Sequence, residues 1–234
     1  MDFKVMLVFV LLIGVLGFVA AAPVGPDFLN ITENSSWSGS TGGAEINISG
    51  GIISSINVSA TMQNSKWKAF VGWVDGKFTL DDASDSSIYD WSLSSIGGQV
   101  YTTRASGSIT WASIACASAG EIVAEDTALV HIGEDNISSS FSSVNTGTYV
   151  VSGVSIGVGD CSSANSYVSN ESQSASFEEF ILYDTSNIVF ATEIEDAVAG
   201  YDGADYDFQM IVPENASESF SGSTAYYLYV EIVS

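Results

Sequence analysis

The sequence predicts an all-β fold: a β-sandwich or jelly-roll-like domain of antiparallel strands behind a flexible N-terminal arm. Three observations carry this. From residue 44 onward apolar and polar residues alternate with period two, the pattern of half-buried strands. Turn residues punctuate that pattern at "GG" (50–51), "DG" (75–76), "SSIGG" (94–98), "SG" (106–107) and "DTSN" (184–187). Helical periodicity is nowhere sustained. Many short strands with regular turns indicate a sandwich or jelly roll rather than an α/β fold.

The elements follow in order. "MDFKVMLVFVLLIGVLGFVAAAP" has one early lysine, a long apolar run and small residues before Ala22-Pro23. It predicts a secretory signal peptide over 1–21, cleaved after Ala21. The alternative is a retained helix, either a membrane anchor or a pilin-like polymerising helix. Residues 22–43, "APVGPDFLNITENSSWSGSTGG", are rich in Pro, Gly, Ser and Asn. They read as a flexible arm that can donate a strand to a neighbour's sheet. A single domain over 44–234 follows. Its expected strands are 44–49, 52–62, 67–74, 77–82, 88–93, 98–104, 107–114, 121–123, 127–132, 148–158, 177–183, 188–194, 205–212 and 225–233. No second apolar run follows the first, so no membrane span is expected after signal cleavage.

The segment "WKAFVGWVDGKFTLDDASDSSIYDW" (67–91) is the densest mixture of tryptophan and aspartate. Asp75-Gly76 predicts a type I′ turn between strands 67–74 and 77–82. That register places Trp73 opposite Phe78 and Val71 opposite Leu80. Trp67, Ala69, Val71 and Trp73 then form a buried face, worth roughly 2 kcal/mol per large side chain. In the last strand Tyr226, Leu228, Val230 and Ile232 share one face, with Tyr227, Tyr229 and Glu231 on the other.

Charge excludes one class of partner. The chain carries 28 acidic residues against five Lys plus Arg, a net charge of −23. Recognition of nucleic acid depends on Lys and Arg contacts to phosphate, so nucleic-acid binding is excluded. Dense like charge also opposes association unless counter-ions screen it.

Two cysteines, Cys116 and Cys161, in an exported chain predict one disulfide. Seven Asn-X-Ser/Thr sequons occur, at Asn30, Asn34, Asn47, Asn57, Asn136, Asn170 and Asn215. They predict N-glycosylation of surface positions on an extracellular protein. Asn47 in "INI" and Asn57 in "INV" point away from their apolar neighbours if the chain is extended.

Two acidic clusters are candidate calcium sites, because calcium takes six to eight oxygen ligands. One holds Asp81, Asp82, Asp85 and Asp90. The other holds Asp202, Asp205 and Asp207, with Glu193, Glu195 and Asp196 nearby. Neither matches the EF-hand loop pattern. The single histidine, His131 in "ALVHIGED", reads as a structural strand residue. No G-x-S-x-G elbow, phosphate loop, dinucleotide fingerprint or Cys/His metal box is present. A non-enzymatic protein is expected.

The phrases "KAFVGWVDGKFTLDDASDSSIYDW", "TWASIACAS", "CSSANSYV", "FEEFILYD", "YDGADYDFQMIVPE" and "YYLYVEI" resemble a group of uncharacterised secreted β-rich proteins of archaea. The likeness covers most of residues 60–234. It implies an archaeal cell-surface setting and brings no known activity or functional residues. Together these readings predict a structural glycoprotein that polymerises with copies of itself into a surface filament or layer. The alternative is a carbohydrate-binding adhesin with calcium-stabilised loops.

Overall fold

The computed structural model describes residues 22–39, 42–172 and 176–233. The expected signal peptide lies outside them. The fold is all-β and antiparallel. Its strands are β1 (Trp67–Gly72), β2 (Lys77–Asp81), β3 (Ser87–Ser92), β4 (Gly97–Thr103), β5 (Ala115–Cys116), β6 (Ser143–Val144), β7 (Tyr149–Val151) and β8 (Val154–Ile156). They continue with β9 (Ser162–Asn165), β10 (Glu178–Tyr183), β11 (Ile188–Glu193), β12 (Val198–Ala199), β13 (Asp205–Tyr206), β14 (Phe208–Pro213) and β15 (Tyr227–Val233).

The central sheet runs β15-β4-β11-β10-β9-β6, with β5 also paired to β10. Its strands β10 and β11 are buried on both faces, and their side chains divide by strict alternation. Ile181 and Phe190 turn to one side; Phe180, Leu182, Val189 and Ala191 turn to the other. On the first side lie the β1–β14 ladder and two helices, α1 (Ala119–Ala128) and α2 (Ile137–Ser140). Met210, Val212, Ile122, Leu129, Ile137 and Phe141 complete that core. On the second side lies the β7–β8 hairpin, whose Tyr149 ring stacks on Phe180 at 4.3 Å.

Two buried carboxylates fasten this hairpin at its ends. Glu178, on β10, accepts the Thr146 N–H at 2.9 Å, the Gly147 N–H at 3.3 Å and the Tyr149 hydroxyl at 2.7 Å. Glu231, on β15, accepts the Ser152 N–H at the hairpin tip and the Tyr101 hydroxyl. A third, Asp126 on α1, accepts Ile137 and Ser138 N–H groups and fixes the start of α2. With so few cations in the chain, amides and hydroxyls satisfy these three acids.

The sequence reading needs correction at several places. Residues 121–123 and 127–132 are not strands: α1 occupies 119–128. Its signal is the capping box in Ser118-Ala119-Gly120-Glu121. The Ser118 side chain accepts Glu121 N–H and the Glu121 carboxylate accepts Ser118 N–H. Residues 107–114 are irregular, with one 3₁₀ turn at Trp111–Ser113. The expected strand 148–158 is the hairpin β7–β8, broken at Ser152-Gly153, and 205–212 is split into β13 and β14.

The Asp75-Gly76 hairpin does not form either. β1 pairs with β14 (Phe70 opposite Met210, Lys68 opposite Val212), and β2 pairs with β3. Asp75 and Gly76 lack the positive φ of a type I′ turn. Gly76 lies against the Ile232 side chain, whose terminal methyl would have to turn aside for a Cβ there. The inward face of β1 carries Phe70, not the predicted Val71 and Trp73. Trp73 is 61% exposed and lies against Tyr206. Trp67 does reach the core, beside Phe141 and His131. A one-residue change of register sense exchanges every side chain between faces.

Residues 44–49 and 52–62 form no ladder and are exposed throughout. Among the described residues the segment without ladder or cover thus runs on past 43 to residue 64, and the domain expected from 44 begins its first strand only at Trp67.

Candidate functional site

The predicted disulfide is present: Cys116 on β5 is bonded to Cys161, just before β9, with Cα atoms 4.9 Å apart. It ties two short strands to the central sheet. The sequons Asn30, Asn34, Asn47, Asn57 and Asn170 are exposed. Asn136 and Asn215 are half-buried and engaged. Asn136 caps α2 by accepting Ser139 N–H at 2.6 Å, and Asn215 accepts Ser217 N–H at 2.9 Å.

The first acidic cluster is distributed among local bonds. Asp82 accepts Ser84 and Ser86 N–H groups, which hold its carboxyl below the usual range. Asp81 is lowered by bonds from Ser87 and Thr79. Asp90 pairs with Lys77 at 2.7 Å, and Asp85 occupies a left-handed turn position. In the second cluster Asp202 accepts Ala204 N–H and the Tyr206 hydroxyl. Asp207 accepts Val74 N–H at 2.8 Å and Ala197 N–H at 3.1 Å, joining three segments. Asp205 offers its carbonyl to the Trp73 indole. Among the described residues no group of three or more His, Cys, Asp or Glu side chains converges on a metal position.

His131 follows α1 rather than lying on a strand. It is buried, with Nε2 2.6 Å from the Glu214 carbonyl and its ring edge-on to Trp67. Glu179 is the most isolated acid. It faces β14, accepts Ile211 N–H at 2.8 Å with one oxygen, and leaves Oε1 without a partner. Burial pushes its carboxyl well above the ordinary range, against the smaller opposing effect of the Ile211 N–H. Sequence patterning missed these acids because strand positions 178 and 179 were read only as one segment, without asking which layer each face met.

What remains open is backbone and apolar surface. The arm begins at β15, the end strand of the central sheet. Val24 and Val230 exchange both backbone bonds, N–H to O at 3.0 and 2.8 Å. The rest of the outer edge of β15 has no ladder partner among the described residues. Beyond Val24 the arm holds its apolar side chains in solvent: Phe28 is 81% exposed and Ile31 73%. The β2–β3 ribbon is likewise exposed on all its residues.

No protein-family model, curated protein or solved structure matches this chain. No helix among the described residues is long and apolar enough to cross a membrane.

Proposed function

We propose that this chain is a non-enzymatic extracellular structural glycoprotein of a cell surface, archaeal by the likeness noted above. It assembles with copies of itself into a filament or layer, its arm adding a strand to a sheet edge. The observation that supports this reading is the Val24–Val230 bridge. It is a backbone pairing between an extended arm and a sheet edge, the geometry of β-augmentation. An arm that pairs at one residue and then exposes its apolar side chains, beside a β15 edge that stays open, leaves both a strand to give and an edge to receive one. The sequons in the arm and the apolar run before it support export. The test is electron microscopy of the mature protein with and without residues 22–43. Fibres or sheets are expected from the full chain and dispersed particles from the deletion; assemblies unaffected by the deletion would sink strand donation.

A second reading is a carbohydrate-binding adhesin, favoured by Tyr89 and Trp91, whose exposed rings meet edge to face at 5.0 Å. Exposed aromatic faces suit sugar stacking. A glycan array that stays blank with and without calcium would remove it.

A further inference from the structure

The β2–β3 ribbon is amphipathic, and the wrong way round for a lone element. Its register places Phe78 opposite Trp91 and Leu80 opposite Tyr89 on one face. Lys77, Thr79, Asp90 and Ser92 lie on the other, joined by the Lys77–Asp90 ion pair. The apolar face is not covered: Phe78 is 38% exposed, Trp91 48%, Leu80 55% and Tyr89 62%. A two-stranded ribbon alone is marginal in water, and a contiguous apolar patch marks a contact surface.

The arm carries the complementary pattern. Ile46 and Ile48 share one side of the chain before the Gly50-Gly51 turn, and Ile52, Ile56, Val58 and Met62 share one side of an extended chain after it, with Ile53, 99% exposed, opposite them. Asn47, Ser49, Asn57, Ser59 and Thr61 fall on the other. A turn at Gly50-Gly51 divides the segment into two. Both surfaces are open in the same molecule, so neither is filled by the other within the chain. Charge narrows the occupant further. Two copies at −23 repel each other. Residues 46–62 carry no charged side chain, nor does the apolar face of the ribbon.

We propose that the apolar face of the β2–β3 ribbon in one copy receives residues 46–62 of a second copy. This rests on the self-assembly reading and adds a contact distinct from the β15 edge. Docking lays a second layer on the two-stranded ribbon and covers its apolar face. Carbohydrate on Asn47 or Asn57 projects from the opposite side of the arm and stays clear of the contact.

The test mixes two differently tagged full-length chains, one Ile56→Cys and the other Tyr89→Cys, under mild oxidation. A disulfide joining the two tags is expected, and Thr79→Cys on the polar face should give at least tenfold less. Equal yields from the two faces, or no joined product, would overturn the docking. A second arm uses Leu80→Asp with Trp91→Asp, with retention of fold checked by urea denaturation. The assembly threshold concentration should rise at least tenfold. Assemblies that persist in this variant yet vanish on deleting residues 22–43 would overturn the ribbon contact while leaving strand donation intact. Wild-type chains that never assemble would remove the broader reading and this one together. Loss of polysaccharide binding in Trp91→Ala, with no cross-link between the tags, would assign the face to carbohydrate and overturn the docking.

Discussion

Replacing Glu178 by alanine tests whether buried acids hold the layers together. Glu178 is 2% exposed. Its Oε2 accepts from Thr146 N, Thr146 Oγ1, Gly147 N and the Tyr149 hydroxyl, and its Oε1 from Thr146 N and Ser163 Oγ. Bonds to a charged acceptor are worth about 1.5–3 kcal/mol each, and orphaned buried donors cost about 1–3 kcal/mol. All these donors but Ser163, which is on β9, lie within residues 146–149, so part of the loss is recovered when that loop opens to water. A net loss of about 4 kcal/mol follows, in the range for breaking a buried charged network. For a chain of this size 1 kcal/mol moves Tm by about 2–4 °C, so a fall of roughly 12 °C is expected. Glu178→Gln keeps an oxygen at the Oε2 position and places its NH₂ near Ser163 Oγ, which can turn to accept; a loss of about 1–2 kcal/mol is expected. The assay is urea denaturation below the assembly concentration, read by tryptophan fluorescence. An alanine variant within 1 kcal/mol of wild type would show that the carboxylate is not what holds the 145–149 loop against the sheet.

Three further outcomes are expected. Glu179 binds its proton more tightly folded than unfolded, so the native state holds more protons above its ordinary value of 4.5; stability therefore falls as pH rises through that value, by up to about 1.4 kcal/mol per pH unit, until the folded carboxyl itself ionises. Glu179→Gln should lack this slope, and parallel stability–pH curves for the two proteins would contradict it. Gly98 has φ +119, and a Cβ there would meet the Glu231 carbonyl in the β4–β15 pair; Gly98→Ala should cost about 3 kcal/mol in urea denaturation, and an unchanged midpoint would refute it. The disulfide spans 45 residues, so Cys116→Ser with Cys161→Ser should lose about 4 kcal/mol, whereas a loss under 1 kcal/mol would place the constraint elsewhere.

Where the sequence was legible, local chemistry and tertiary packing agreed. The β10–β11 hairpin was readable from "DTSN" because Asp184 accepts Ser186 and Asn187 N–H groups and closes the turn by itself. Strands β4, β11 and β15 were readable from alternation. The hairpin failed through competition between a local signal and a distant partner. Asp75-Gly76 looked like a hairpin, but pairing β1 with β14 covers Met210 and Val212 with Phe70, and that burial outweighs a two-residue turn. Alternation at 44–49 and 56–62, interrupted by "GGIISS", found no ladder in its own chain. Alternation reports a face seeking cover; it does not say which molecule supplies the cover. Helix α1 is hidden in "EIVAEDTALV" because its short apolar runs also fit alternation, and only the Ser118/Glu121 box at its start marks it as a helix. At the candidate site, the disulfide and the exposed arm sequons were legible from residue type and spacing. The engagement of Asn136 and Asn215, and the dispersal of the aspartates into turns, depend on three-dimensional neighbours and were not.

The way this chain neutralises its acids separates inside from outside in their response to ionic strength. Glu178, Glu231 and Asp126 are held by amides and hydroxyls within the packed layers, where mobile ions do not reach. The surface acids have almost no ammonium or guanidinium partners and face water, where the screening length shrinks to about 8 Å at physiological salt and about 3 Å at 1 M. Added salt therefore relaxes repulsion between molecules while leaving the internal fastenings as they are. In the proposed assembly ionic strength acts first on association: dilute medium keeps copies apart, and brine lets the uncharged 46–62 segments and the apolar ribbon faces meet.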